Sequence, residues 1–259
     1  TRRSSDLKLA QVHWTRAQSR DRDKTYNPTT PAQLASQAPG FPWATFFKAA
    51  GVDAADRAIV AQNTAFPGIA KVFAESDLAT LKAWEAFRIT DDVAPLLSKR
   101  FVDAQFDFRS KFLNGQPQQR ERWKRAVAFT ENDVGEGIGR DYVALYFPPA
   151  SKAKMDQLVG NLRVALAGRI RNLTWMGAAT KEQALEKLQG FNVKIGYPDK
   201  WRDYSALQVQ RGDLVGNVAR ANAFDYDRDL KKLGQPIDRG EWFMTPMTIN
   251  AYANPTMNE

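Results

Sequence analysis

From Trp123 to Leu145 the chain returns an apolar or small residue every three or four positions. Trp123, Val127, Thr130, Val134, Ile138, Tyr142 and Leu145 keep this rhythm over many turns. A stripe of that period lies on one face only if the backbone is helical. A long helix is therefore predicted within Pro117–Phe147. The same rhythm recurs at Met155, Leu158, Val159, Leu162, Ala165, Leu166, Ile170 and Leu173, and at Leu78, Leu81, Trp84 and Phe87. The chain is expected to be mainly α.

Prolines and capping residues punctuate the pattern. Asp6–Arg20 reads as a helix carrying Leu7, Leu9, Val12 and Trp14. Thr30 is placed to cap a short helix with Pro31 at its first position and Leu34 inside, ended by Pro39-Gly40. Pro42 starts another, with Trp43, Phe46 and Phe47 on it and Gly51 just past its end. Ala58–Ala61 reads as a short extended piece, and Pro67 opens a third helical stretch. Ser76, Ser151 and Thr180 are the expected caps of later helices, and Pro95 a restart point. Phe101, Ala104, Phe108 and Phe112 form an aromatic stripe. It would also suit base stacking, but at helical spacing it is taken as core. A last helix carries Leu214, Val218, Ala221, Phe224 and Arg228.

Several chemistries are excluded or disfavoured. Gly135-Glu136-Gly137-Ile138-Gly139 lacks the third glycine of a dinucleotide fingerprint, since Arg140 stands there, and no strand precedes it. Glycines on a helix are better read as sites where another helix approaches closely, against a cost of about 1 kcal/mol each relative to Ala. There is no Cys, so no disulfide and no thiol chemistry, and His13 is the only histidine. A lone histidine cannot supply the paired ligands of a His-Glu-x-x-His zinc helix. No apolar run reaches the length of a membrane span, and no signal peptide is visible. The net charge is +8, from 37 Lys and Arg against 29 Asp and Glu. Lys99–Arg125 concentrates part of it. A basic binding module for nucleic acid or an acidic partner is the alternative this supports. The charges spread over more than one helix face, so a solvated surface is preferred and no nucleic acid is expected.

The last nineteen residues, Glu241–Glu259, are different in kind. Trp242, Phe243, Met247 and Ile249, with Thr245 and Thr248 among them, have the composition of a half-buried strand. Pro246 would put that strand at a sheet edge, and Asn254-Pro255 signals a turn. Trp242 followed by Ile249-Asn250-Ala251-Tyr252 and Asn254–Glu259 resembles the edge-strand motif of the neprilysin family of zinc metalloendopeptidases, which includes the endothelin-converting enzymes and bacterial relatives. Other patches resemble the same family. They are the Arg-Asp and Tyr-Asn pairs within Arg20–Pro28, the Trp123–Phe147 helix, and the run from Leu173 through Thr180, Lys187 and Ile195 to Pro198. Some members carry a Cys near Ala126; its absence suggests the disulfide-free bacterial branch.

The resemblance implies that Asn250 and Ala251 bind the backbone of a peptide substrate. An extended peptide can add to an exposed strand through main-chain bonds. It also implies a division into a helical domain, 1–198, which caps the active-site chamber, and 199–259, the first helix and edge strand of a thermolysin-like catalytic domain. Members continue into a zinc-binding helix and a later carboxylate ligand that these residues lack. The chain is therefore expected to be the middle piece of a zinc endopeptidase. No catalytic or metal-binding residue is expected in it, and no activity alone. Zinc would belong to the intact enzyme, with peptides and the rest of the catalytic domain as partners, in a periplasmic or other extracytoplasmic location. A metal-free pseudo-peptidase fits the same residues. The isolated piece is expected to expose apolar surface and to associate.

Overall fold

The computed structural model describes residues 2–259, with side chains from Asp6 onward. It divides into two compact units, Thr1–Gln118 and Gln119–Glu259. The first contains α1 (Arg2–Val12), α2 (Arg22–Thr25), β1 (Pro28–Thr29), α3 (Pro31–Gln37), α4 (Trp43–Ala49), β2 (Ala58–Ile59), α5 (Phe66–Glu75), α6 (Leu78–Val93) and α7 (Lys99–Gln105). β1 and β2 pair antiparallel, Pro28 opposite Ile59 and Thr29 opposite Ala58.

Local chemistry explains these boundaries. Thr30 forms a reciprocal capping box. Its hydroxyl accepts from the Gln33 backbone N–H, and the Gln33 side chain accepts from the Thr30 N–H. Leu34 on that helix joins Ala38, Val60 and Ala70 in a buried cluster, with Phe41, Trp43, Phe47 and Phe66 packed against it. Helix α1 is shorter than expected. The His13 N–H still bonds to the Leu9 carbonyl, but the Trp14 N–H goes to the Gln62 side chain instead, at 3.0 Å, and its indole N–H to Thr64. Bonding both Trp14 N–H groups to a distant segment outcompetes another helical turn.

Three expected caps move. Asp77, not Ser76, caps α6 by accepting from the Thr80 N–H at 2.8 Å; the Ser76 hydroxyl donates back to the Val72 carbonyl and closes α5. In the second unit, α8 is Arg122–Tyr146, α9 Pro149–Asn172, α10 Ala178–Gln189 and α11 Leu214–Leu230. Pro148 and Gly177 hold the capping positions of α9 and α10, so Ser151 and Thr180 lie inside the first turns. Each of these two helices receives a cation from the other at its last carbonyls. Arg163 donates to Leu188 and Gln189, and Lys181 to Arg171, all at 2.9 Å.

The aromatic stripe is not core. After α7 the chain widens into a π-helical turn, Phe106–Phe112. Phe108 and Phe112 stack on each other with centroids 6.0 Å apart and stand 52% and 76% exposed. A wide turn rotates each residue by less than an α-helix does, so the stripe drifts off the packed face. Within the basic stretch, Lys99, Arg109, Lys111 and Lys124 each face a carboxylate, on Asp103, Asp91, Asp107 and Glu121. Large apolar side chains are exposed in both units, among them Leu158, Leu162 and Val164 on α9.

Removing the Thr30 hydroxyl tests the reading of the first unit. Thr30→Ala should lower unfolding free energy by about 1 kcal/mol, measured by urea denaturation followed by circular dichroism.

Candidate functional site

The terminal segment, 241–259, is fastened to the second unit at both ends. The fastener is the irregular stretch after α10. Lys194 donates to the Glu241 carbonyl at 2.6 Å and to the Glu259 carboxylate at 2.5 Å. Two residues earlier, Asn192 does the same with other atoms. Its backbone N–H bonds to the Asn258 carbonyl at 2.8 Å, and its side-chain amide to the Arg239 carbonyl and the Glu259 carboxylate. Both residues therefore reach the end of the segment, and Lys194 also reaches its start, with Asn192 bonding two residues before it. The Lys194 and Glu259 side chains are only 8% and 3% exposed.

Charges extend the first anchor. Glu241 accepts from Arg228 on α11 and, at 2.6 Å, from Lys232. Nearby, Arg202 spans Asp225 at 2.9 Å and Glu136 at 3.6 Å. These side chains, with Glu131, line a polar cleft of about 330 Å³. Burial alone would raise the Glu241 carboxyl, but hydrogen bonds and charges from Lys232 and Arg228 outweigh it and hold it low. Glu259 behaves likewise. Burial opposes its ionisation, and Lys194, Tyr252 and Asn192 together hold it below its ordinary value of 4.5. Tyr252, half-buried beside that carboxylate, is pushed up to about 12.

The middle of the segment rests on α8. That helix kinks at Val134, whose φ of −137° and ψ of 33° are not helical. Just past the kink, a Cβ at Gly135 would lie 2.6 Å from Thr245 Cγ2, and one at Gly139 would lie 2.8 Å from Pro246 Cδ. The glycines thus admit a close approach, as expected, but what approaches is Thr245-Pro246 and not a second helix. The Thr245 hydroxyl donates to the Glu131 carboxylate at 2.5 Å.

Beyond this contact the chain turns outward. The Thr248 N–H bonds to the Thr245 carbonyl and the Asn250 N–H to the Thr248 carbonyl. Ile249 is fully exposed, and Asn250 and Ala251 are exposed beside it. The Asn250 side-chain oxygen accepts from the Ala251 N–H at 2.8 Å. Among the described residues, no hydrogen bond reaches the Asn250 or Ala251 carbonyl or the Asn250 amide nitrogen.

The edge strand expected here is not paired. Among the described residues the only ladder joins β1 and β2. Pro246 has no N–H to give, and the Thr248 and Asn250 N–H groups are spent on local turns. The turn expected at Asn254-Pro255 does form, with the Asn254 and Glu259 backbones bonding each other. The anchors Glu131, Asn192, Lys194 and Glu259 were not singled out from sequence. Only the spacing of Glu131, Gly135 and Gly139, four apart, carries a signal of a shared helical face.

A family model, Peptidase family M13, matches residues 4–198. The chain belongs to peptidase family M13. It is similar to Neprilysin-3 of Drosophila melanogaster, 29% identical over 98% of this chain and 34% of the relative. An endothelin-converting enzyme homolog of Locusta migratoria is 32% identical over 68% of this chain and 25% of the relative. Among solved structures, the zinc metalloprotease ZMP1 of Mycobacterium tuberculosis in complex with inhibitor superposes with a TM-score of 0.91 and 42% identity, over 99% of this chain and 39% of that one. The M13 chain thus spans about a third of the length of these proteins. The mainly α fold and the resemblance to the bacterial-type neprilysin family are borne out.

Among the described residues no group of three or more His, Cys, Asp or Glu is placed to hold an ion. His13 is exposed at the end of α1.

Lys194 gives the sharpest test of the anchor. Lys194→Ala leaves a buried carboxylate without its partner and should destabilise the fold by about 3 kcal/mol at neutral pH. A carboxyl held below 4.5 contributes stability that is complete above 4.5 and is lost as pH falls through its folded value. The gap between wild type and variant should therefore narrow as the pH drops below 4.5, read from thermal melts across that range.

Proposed function

We propose that this chain is part of a zinc-dependent endopeptidase and contributes the segment that holds the peptide backbone. The observation carrying this reading is the exposed Asn250–Ala251 tip, which presents unbonded carbonyls and a side-chain amide on a segment fastened at both ends. A substrate in extended form can bond to such groups, and small Ala251 lets the two backbones approach. Fastening lowers the cost of ordering the segment when peptide binds. The described residues offer no zinc site, so the ligands and the general base are assigned to sequence outside them, and no chemical step is assigned to this chain.

The division proposed within the family is a helical cap over the active-site chamber, 1–198, followed by the start of the catalytic domain, 199–259. A chamber roofed by helices admits oligopeptides and excludes folded proteins. An extracytoplasmic setting is proposed with it. No helix among the described residues is long and apolar enough to cross a membrane.

Two outcomes are expected. The 259-residue chain should cleave no peptide, with zinc added or withheld; cleavage of a quenched peptide by it would contradict the assignment. In the full-length product, Asn250→Ala should raise KM by about tenfold through loss of the backbone contacts.

A further inference from the structure

We infer that Glu131 is a positioning residue for the peptide-binding segment, acting through Thr245 and Thr248 without touching substrate. The inference rests on the reading of Asn250 and Ala251 given above and adds a residue on a different element, α8.

The geometry is a directed chain of hydrogen bonds. The Thr245 hydroxyl has one hydrogen, and it goes to Glu131 Oε1 at 2.5 Å. The two threonine hydroxyls lie 2.8 Å apart, so Thr248 donates to Thr245. Thr248 Oγ1 also lies 3.5 Å from the same carboxylate oxygen. The Thr248 carbonyl in turn accepts from the Asn250 N–H at 3.0 Å. Three links therefore join a helix-borne carboxylate to the backbone of Asn250. A carboxylate acceptor makes the first bond of the stronger kind.

Sterics set the same position independently. Glu131, Gly135 and Gly139 are spaced one turn apart along α8. Thr245 fills the space over Gly135 and Pro246 that over Gly139. The two glycines fix how deep the segment sits, while Glu131 fixes where along the slot it stops. With Lys194 and Asn192 holding the ends, the carboxylate leaves the Asn250–Ala251 tip one placement on the surface. Among the described residues, the two guanidinium groups of the cleft are taken by other carboxylates, Arg202 by Glu136 and Asp225 and Arg228 by Glu241.

The test uses the full-length product and an internally quenched nonapeptide, with kcat and KM measured separately. Glu131→Ala should raise KM about tenfold and leave kcat within about twofold. Glu131→Gln keeps an acceptor oxygen and should recover most of the loss. Thr245→Val keeps a methyl over Gly135, removes the hydroxyl, and should match Glu131→Ala even if that variant folds poorly. Glu131→Ala combined with Asn250→Ala should raise KM little beyond Asn250→Ala alone, because both act through one contact. If Asn250→Ala raises KM while Glu131→Ala and Thr245→Val leave it unchanged, or if the double variant is fully additive, the positioning role is overturned and the peptide-binding reading stands. If Asn250→Ala itself leaves KM unchanged, the peptide-binding reading fails and the role of Glu131 falls with it.

Discussion

One buried ammonium joins the two ends of the terminal segment. Lys194 bonds to the carbonyl of Glu241 and to the carboxylate of Glu259, residues separated by a long loop of chain. Closing such a loop costs conformational entropy that grows slowly with its length. The pair is nearly out of water, so its mutual attraction is screened little. Breaking it would strand a charge, which costs far more than an exposed pair is worth. Asn192 adds bonds to the Arg239 and Asn258 carbonyls and to the same Glu259 carboxylate. The tip can therefore be exposed and still be ordered.

The second constraint is shape. A helix with side chains at 135 and 139 would hold the segment away from α8. Two glycines on one face, just past a kink, make a slot that takes a threonine methyl and a proline ring. The glycines weaken the helix by about 1 kcal/mol each, and the packing of Thr245 and Pro246 offsets this. Proline suits the slot because it needs no hydrogen-bond partner there. The segment is thus held by its side chains and its ends, with no strand ladder in between, and its outward carbonyls stay available.

Much of the fold was legible because it is local. Period fixes helices, and the helices at Pro31, Trp43, Leu78, Arg122, Pro149 and Leu214 all follow from spacing and proline placement. Thr30 was readable because both halves of its capping box lie within three residues. Ser76, Ser151 and Thr180 misled because a hydroxyl near a helix start caps it only if the chain turns at that residue. Phe108 and Phe112 misled because an α-helical period was assumed through a wider turn. The candidate tip, Asn250 and Ala251, was picked out as a motif, but the anchors that hold it were not. Lys194 lies 65 residues from Glu259 and Glu131 lies 114 from Thr245. No local pattern marks a lysine or glutamate for a partner at that distance. The glycines came closest: their close approach was foreseen and its partner was not.

The proposed function requires that the Asn250–Ala251 tip receive a peptide backbone. Hydrogen–deuterium exchange of the full-length product, with and without a saturating non-hydrolysable peptide, measures this directly. Peptide addition predicts slowed amide exchange across residues 249–253 as the peptide covers this exposed stretch, with the Asn192 N–H, already bonded to the Asn258 carbonyl, unchanged. Protection elsewhere, with the tip exchanging as fast as in the free protein, would contradict it.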